Sequence, residues 1–247
     1  LNNRTPPNVD LSQVRNRVIL ELRPAAQEFL LSRSLTRKTF VGEVIYEDRA
    51  QFTHAVFPHE GVISLMAEME DGRTIEKTSL GFEGFLGLAL IMGGGVAISR
   101  SVVQVPGYTS WISVADLDEA LAEFVCVREA MLRYAQALIV QTMESVACNG
   151  LHSAEQRISR WLLHARDRVM SDQFTMKQQT LSETLGVRRA TVSAVCAQLQ
   201  KDGILEYSRG ELKIIDRPRL EQRSCQCYAR VTNASLLSSN RQRPASA

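Results

Sequence analysis

The first 125 residues contain no cysteine, and the whole chain of 247 has only five, at 126, 148, 196, 225 and 227. Such spacing is not the framework of a small disulfide-stapled domain, and reduced thiols are the economical reading. An iron–sulfur centre in the first half is excluded by inventory, because such clusters are held by several cysteine thiolates. Histidine is equally scarce. His54, His59, His152 and His164 include no His-x-His pair, which argues against the metal site of a cupin-like barrel enzyme. No nucleophile motif or phosphate-cradling loop is present, so we expect no catalytic residue, no metal ligand and no cofactor. The longest uncharged apolar run, Gly84 to Ile98, is 15 residues, whereas a spanning helix needs about 20. The first residues lack the apolar core of a secretion signal, so a cytoplasmic protein without a membrane partner is expected.

What is present is an ordinary globular composition, 45% apolar and 23% charged. The formal net charge of +2 hides a split. Residues 1–149 hold 13 basic and 18 acidic side chains, a net of −5, while residues 150–247 hold 16 basic and 9 acidic, a net of +7. A polyanion would be attracted to the second half alone.

In the first half, Glu43 to Tyr46, Val62 to Met69, Thr74 to Leu80, Ser101 to Val105 and Trp111 to Val114 read as short strands. Ile63, Leu65, Ala67 and Met69 lie on one side of their strand, and Asp71-Gly72 is a hairpin turn. Many short strands broken by glycine imply a sandwich, roll or barrel. A helix is expected over Asn8 to Leu31. From Asp116 the apolar period changes: Leu117, Leu121, Phe124, Arg128, Met131, Ala135, Leu138, Thr142 and Ser145 alternate at spacings of four and three. That is the seam of a long helix, suited to self-pairing across a dimer axis and stopped at Asn149-Gly150. Arg128 on this seam faces either a sensor pocket or a partner carboxylate.

The second half begins with an amphipathic helix, Ser153 to Met170. Ile158, Trp161, Leu162, Ala165 and Val169 form its apolar face, with Arg157, Arg160, Arg166 and Arg168 off it. A short helix bearing Leu181 and Leu185 then stops at Gly186, whose missing Cβ suits a left-handed cap. Arg189 to Lys201 is a second helix burying Val192, Cys196 and Leu199. A short helix, a glycine turn and a second helix make a helix-turn-helix. Ile204 to Ile215 with Arg209-Gly210 at its centre reads as a hairpin wing. The slim second helix fits the major groove of double-stranded DNA, about 12 Å wide. Arg188, Arg189, Thr191 and Ser193 are its candidate contacts, with Arg189 reaching a guanine edge and Ser193 a base or phosphate. Lys177, Gln178, Thr191, Lys201 and Arg209 are placed for phosphates, which position without specifying sequence.

This order of strand-rich half, long helix and winged helix-turn-helix resembles the CRP/FNR superfamily of bacterial transcription regulators. The stretch Leu185-Gly-Val-Arg-Arg-Ala-Thr-Val-Ser193 is similar to the family's recognition segment. The resemblance implies an α+β protein. Residues 1–115 would be a cyclic-nucleotide-binding-like β-roll of jelly-roll type and 116–149 a dimerisation helix. Residues 150–220 would be a winged helix-turn-helix, and 221–247 a partly disordered tail. It also implies a homodimer on a two-fold-related DNA site, with RNA polymerase as a partner.

The departures are informative. Ala190 and Ala194 stand where the family commonly has Glu and a second Arg, so only Arg189 carries over as a base reader. Cyclic-nucleotide binders of the superfamily carry Gly-Glu-Leu/Ile followed by Arg-Ser/Ala. Here Leu88 in Gly87-Leu88-Ala89 takes the place of that Glu, and only Arg100-Ser101 resembles the phosphate pair. The effector is therefore unidentified, and cyclic AMP is not expected. Glu83, Arg100, Ser101 and Arg128 are the candidate effector-pocket residues. The chain resembles a subgroup with Gly81-Phe-Glu83-Gly84-Phe-Leu-Gly87, Ala147 to His152 and an ending Cys225-Gln-Cys227-Tyr228. Cys225 and Cys227 suit a redox pair or half a metal site, but with no His or third Cys near them in sequence the simpler expectation is two inert thiols. The rival readings are an architectural DNA-binding protein with a vestigial, ligand-free sensor and a barrel enzyme.

Overall fold

Pro24 decides how the chain enters the fold. The computed structural model describes residues 14–239. Within them the helix expected over Asn8 to Leu31 is two helices, α1 (Arg17–Leu20) and α2 (Pro24–Arg33). Proline is tolerated in a first turn but restricts the residue before it, so the chain bends there. Residues 8–13 lie outside the described residues.

Seven strands follow: β1 (Leu35–Lys38), β2 (Val44–Tyr46), β3 (His54–Pro58), β4 (Val62–Glu68), β5 (Thr74–Leu80), β6 (Arg100–Val105) and β7 (Tyr108–Ser113). A one-turn helix, α3 (Leu88–Ile91), interrupts them. They pair antiparallel in two sheets, ordered β1-β7-β3 and β2-β6-β4-β5. This is the β-roll. β1 and β3 have no alternating signal: Leu35–Lys38 is mostly polar, and β3 buries consecutive Ala55, Val56 and Phe57. β4 departs from one-sided burial, since Val62, Ser64 and Met66 are buried as well as Ile63 and Leu65. Its second face is covered, because Val62 and Val105 pack with Ile158 and Leu162 of the second half.

His59 closes the end of β3. It is 3% exposed. Its Nδ1 accepts from the backbone N–H of Arg15 and Asn16, and its Nε2 lies 2.7 Å from Ser110 Oγ. The imidazole is thus a structural bridge, with both nitrogens used. Burial lowers its pKa to about 4. The unfolded ring protonates near pH 6.5, so between about 6.5 and about 4 the unfolded chain binds the extra proton. Stability should therefore fall as pH drops through that window, by up to about 3 kcal/mol. His59→Gln should flatten that slope in urea unfolding at a series of pH values; an unchanged slope would assign the acid sensitivity elsewhere.

The long seam is realised as two helices, α4 (Val114–Glu123) and α5 (Val125–Leu151), broken at Phe124 in an extended conformation. No Pro or Gly marks the break. The Phe124 ring instead packs edge-on against Phe29 of α2, 5.4 Å between centroids. α5 also runs past Asn149-Gly150 to Leu151, about 40 Å at 1.5 Å per residue. Most of the expected seam turns inward: Leu117, Leu121, Met131, Ala135, Leu138 and Ser145 are buried in this chain's own core. A second stripe faces out, with Val125, Leu132, Ile139 and Val146 seven residues apart and Met143 between the last two. Arg128 lies on this exposed side.

After the extended pair His152-Ser153 comes α6 (Ala154–Val169), opened by a capping box between Ser153 and Gln156. Then follow β8 (Gln173–Thr175), α7 (Gln178–Leu185), α8 (Arg189–Lys201), β9 (Leu205–Ser208), β10 (Glu211–Ile214), α9 (Arg217–Arg223) and α10 (Cys227–Ser239). The last lies in the segment expected to be a tail: residues 227–239 are helical and pack along α5, with Val231 buried and Arg230 3.3 Å from Glu144. Residues 240–247 lie outside the described residues. Among the described residues, no helix is long and apolar enough to cross a membrane.

Candidate nucleic-acid interface

α8 buries Val192, Cys196 and Leu199, the predicted spacing. Its entry is set by Gly186, the left-handed cap of α7 at φ 61, where a side chain would also press on Ile75 of β5. Three strands ordered β8-β10-β9 form the wing sheet. Its tip, Arg209-Gly210, has positive φ at both residues, the geometry of a two-residue hairpin turn.

Once the buried face is subtracted, α8 presents Arg189, Ala190, Ala194 and Ala197 to solvent, with Arg188 just before it. Lys201 is exposed at the end of α8, Lys177 and Arg209 are exposed beside it, and Thr191 is half-buried. None of Lys177, Arg188, Arg189, Lys201 and Arg209 is in an ion pair among the described residues. Ser193 and Gln178 are brought together differently: Ser193 Oγ donates to Gln178 Oε1 at 2.6 Å, a clamp between α8 and α7. The clamp uses the Ser193 hydroxyl proton and the Gln178 Oε1, and leaves the Gln178 Nε2 donors out of that bond.

The other arginines of this half are mostly committed. Arg166 pairs with Asp172 and Asp167, Arg217 with Asp167 and Glu221, and Arg223 with Glu155 and Asp202. Arg160 and Arg168 are buried, a correction to the expectation that all four arginines of α6 lie off its packed face. Unpaired positive charge is therefore concentrated around α8 and the wing.

Arg168 explains the glycine-rich motif of the roll. Its guanidinium lies 2.7 Å from Glu83 and donates to Ser79 Oγ at 2.7 Å, to the Ser79 carbonyl at 3.0 Å and to Gln141 Oε1 at 3.3 Å. Burial opposes the charge, but the Glu83 carboxylate more than offsets it and raises the Arg168 pKa. A side chain at Gly81 would sit 2.6 Å from Arg168 Cγ, and one at Gly84 would overlap the buried Tyr134 ring. The motif clears a path for α6 and α5. Trp161 adds a second tie, its Nε1 donating to Glu76 of β5 at 3.2 Å.

The four candidate effector residues do not meet in one cavity. Glu83 is spent on Arg168. Arg100 pairs with Glu47 at 3.1 Å. Ser101 is buried, its Oγ accepting from the Tyr46 N–H and donating to the Tyr46 carbonyl. Arg128 points away on α5. A cavity inside the roll, among the described residues, is about 30 Å³ and lined mainly by apolar side chains, including Phe52, Leu80, Phe85 and Leu138. Small-ligand sites usually enclose about 300 Å³ or more, so this space suits little beyond a water. A larger cleft of about 250 Å³ lies where the roll meets the second half, lined by Glu83, Gln141, His164, Arg168, Arg217 and Tyr228 among others.

Residues 156–223 match the Crp-like helix-turn-helix domain family. That match runs from α6 to the end of α9, taking in the helix-turn-helix and its wing. A curated relative, the transcriptional regulatory protein btr of Bordetella pertussis, is 23% identical over 132 residues, covering 51% of this chain and 54% of that protein. The match thus spans about half the length of that relative. Among solved structures, FixK2 from Bradyrhizobium japonicum superposes with a TM-score of 0.65 at 16% identity, over 78% of this chain and 98% of that one. The c-di-GMP-responsive regulator CLP of Xanthomonas campestris gives 0.62 at 17% identity, over 78% and 99%. At that identity the likeness establishes the shared fold. The latch of Arg168 and the cluster of Cys148, His152, Cys225 and Cys227 were missed by sequence reasoning. Their partners lie about 75 to 90 residues apart, and only the motif Gly81 to Gly87 signalled the first.

Proposed function

We propose that this chain is a CRP/FNR-type, sequence-specific DNA-binding transcription regulator acting in the cytoplasm as a homodimer. The observation that carries the reading is the unpaired positive charge gathered around one slim, alanine-lined helix in a Crp-like helix-turn-helix domain. α8 enters the major groove, Arg189 reads a guanine edge, Arg188 and Thr191 support it, and Lys177, Lys201 and Arg209 hold phosphates. Self-association uses the exposed stripe of Val125, Leu132, Ile139, Met143 and Val146, whose seven-residue repeat suits a two-helix seam. RNA polymerase is the protein partner that the family resemblance implies.

An effector acting on the roll would have to shift the latch between Arg168 and Glu83 and reorient the paired α8 helices. The cavity of about 30 Å³ favours a second reading, a regulator whose roll is ligand-free and structural. Titration with candidate metabolites separates the two, since only an effector changes DNA affinity. The test of the main reading is Arg189→Ala on a selected operator. Specific binding should weaken by about 1–3 kcal/mol, with relaxed preference at one base pair of each half-site. Unchanged operator affinity would remove Arg189 as a base reader.

A further inference from the structure

Four donor side chains that the DNA-binding reading does not use converge at the hinge between α5 and α6. Cys148 lies in the last turns of α5, and His152 is the first residue after it. Cys225 and Cys227 join α9 to α10. Their ligand atoms all lie within 4.8 Å of one another. Cys148 Sγ is 3.5 Å from Cys225 Sγ, and Cys227 Sγ is 3.7 Å from His152 Nδ1. A tetrahedral zinc ion, with thiolates at about 2.3 Å and imidazole at about 2.0 Å, holds neighbouring ligand atoms about 3.5–3.8 Å apart. These two pairs already have that spacing. A disulfide would need about 2.05 Å between sulfurs, and an iron–sulfur cluster would spread its thiolates around several irons.

We propose that Cys148, His152, Cys225 and Cys227 form a mononuclear Cys3His site for a thiophilic divalent cation, Zn2+ by the chemistry of its donors. The three cysteines are buried and His152 is half-buried, so all four ligand positions come from the protein and the site is a closed structural one. Three thiolates and one neutral imidazole around Zn2+ leave a charge of −1. Arg160 supplies the compensating cation: it is 8% exposed, its charge acts on both Cys148 and Cys225, and its Nε has no hydrogen-bond partner among the described residues. Glu144, beside Cys227, is paired with Arg230 at 3.3 Å. Binding displaces the thiol protons to solvent and ties two chain segments together. The ion would fasten α9 and α10 to the end of α5 and hold the hinge before α6. The site goes beyond the DNA-binding reading and stands whether or not α8 reads DNA.

The experiment is metal analysis of the full chain purified under reducing conditions without chelator, followed by Co2+ titration of the metal-free protein. The result expected is about one zinc per chain and, with Co2+, thiolate-to-metal charge-transfer and tetrahedral d–d bands that Zn2+ abolishes. Cys227→Ser and His152→Ala should each weaken Co2+ binding about tenfold or more, while Cys126→Ser leaves it unchanged. Should a variant fail to fold, thiol alkylation of the wild type decides: Zn2+ alone should slow Cys148, Cys225 and Cys227 together and leave Cys126 unaffected. Absence of Co2+ bands in fully reduced chain, bands unaltered in folded variants, or a Cys148–Cys225 disulfide in place of bound metal would each overturn the proposal.

Discussion

Arg168→Met should destabilise the protein by about 3–5 kcal/mol, the largest single-residue effect expected outside the hydrophobic core. Methionine replaces the aliphatic stem of the side chain and keeps its apolar packing, so the loss is mainly the guanidinium charge and its hydrogen bonds. What it leaves behind is Glu83, a carboxylate only 13% exposed, together with Ser79 and Gln141 groups that lose their donor. Stranding a buried charge costs far more than the pair contributes over an apolar substitute. Urea unfolding of the variant should therefore show a lower midpoint. Converting Glu83→Gln in the same chain should recover part of it, since the stranded charge is then gone. A loss below about 1 kcal/mol would mean that the contact behaves like an exposed ion pair. Because the latch joins the roll to α6, the same variant should also loosen the unit carrying α8.

DNA binding should weaken by about 10³-fold or more between about 50 mM and about 200 mM salt, as for proteins making six or more phosphate contacts. Each chain offers at least five exposed cations around α8 and the wing, and a dimer offers twice that number. Arg160, Arg166, Arg168, Arg217 and Arg223 of α6 and α9 contribute little to this slope, because they are buried or already paired within the protein. Replacing Lys201 with Gln should lower the slope by about 1 per chain and weaken all sequences alike. A flat salt response would assign the basic half to another partner.

The two halves differed in how legible they were, and the reason is the range of the interactions. α8, its buried Val192, Cys196 and Leu199, its glycine entry and the wing hairpin are local patterns, and each lies where its period placed it. The apolar period from Leu117 was visible too, but it could not reveal which of two stripes on α5 faces this chain. Leu138 and Met131 are claimed by the roll, and Ile139 and Leu132 are left outside. The break at Phe124 has no local signal, because a ring on α2 makes it. Arg168 looked like an exposed arginine until the fold brought Glu83 to it, and Cys225-Gln-Cys227 looked inert because its companions lie about 75 residues upstream. The charge division at residue 150 survives in sharper form: the cations that matter are the few that the second half leaves unpaired.

The central claim is that two copies of α8 read one operator. Selection of preferred sites from random DNA, followed by footprinting, tests it most directly. The account predicts two-fold-related half-sites centred about 34–36 Å apart, one helical turn, with both protections weakened together in Arg189→Ala. A single unpaired half-site, or protection without sequence preference, would contradict it.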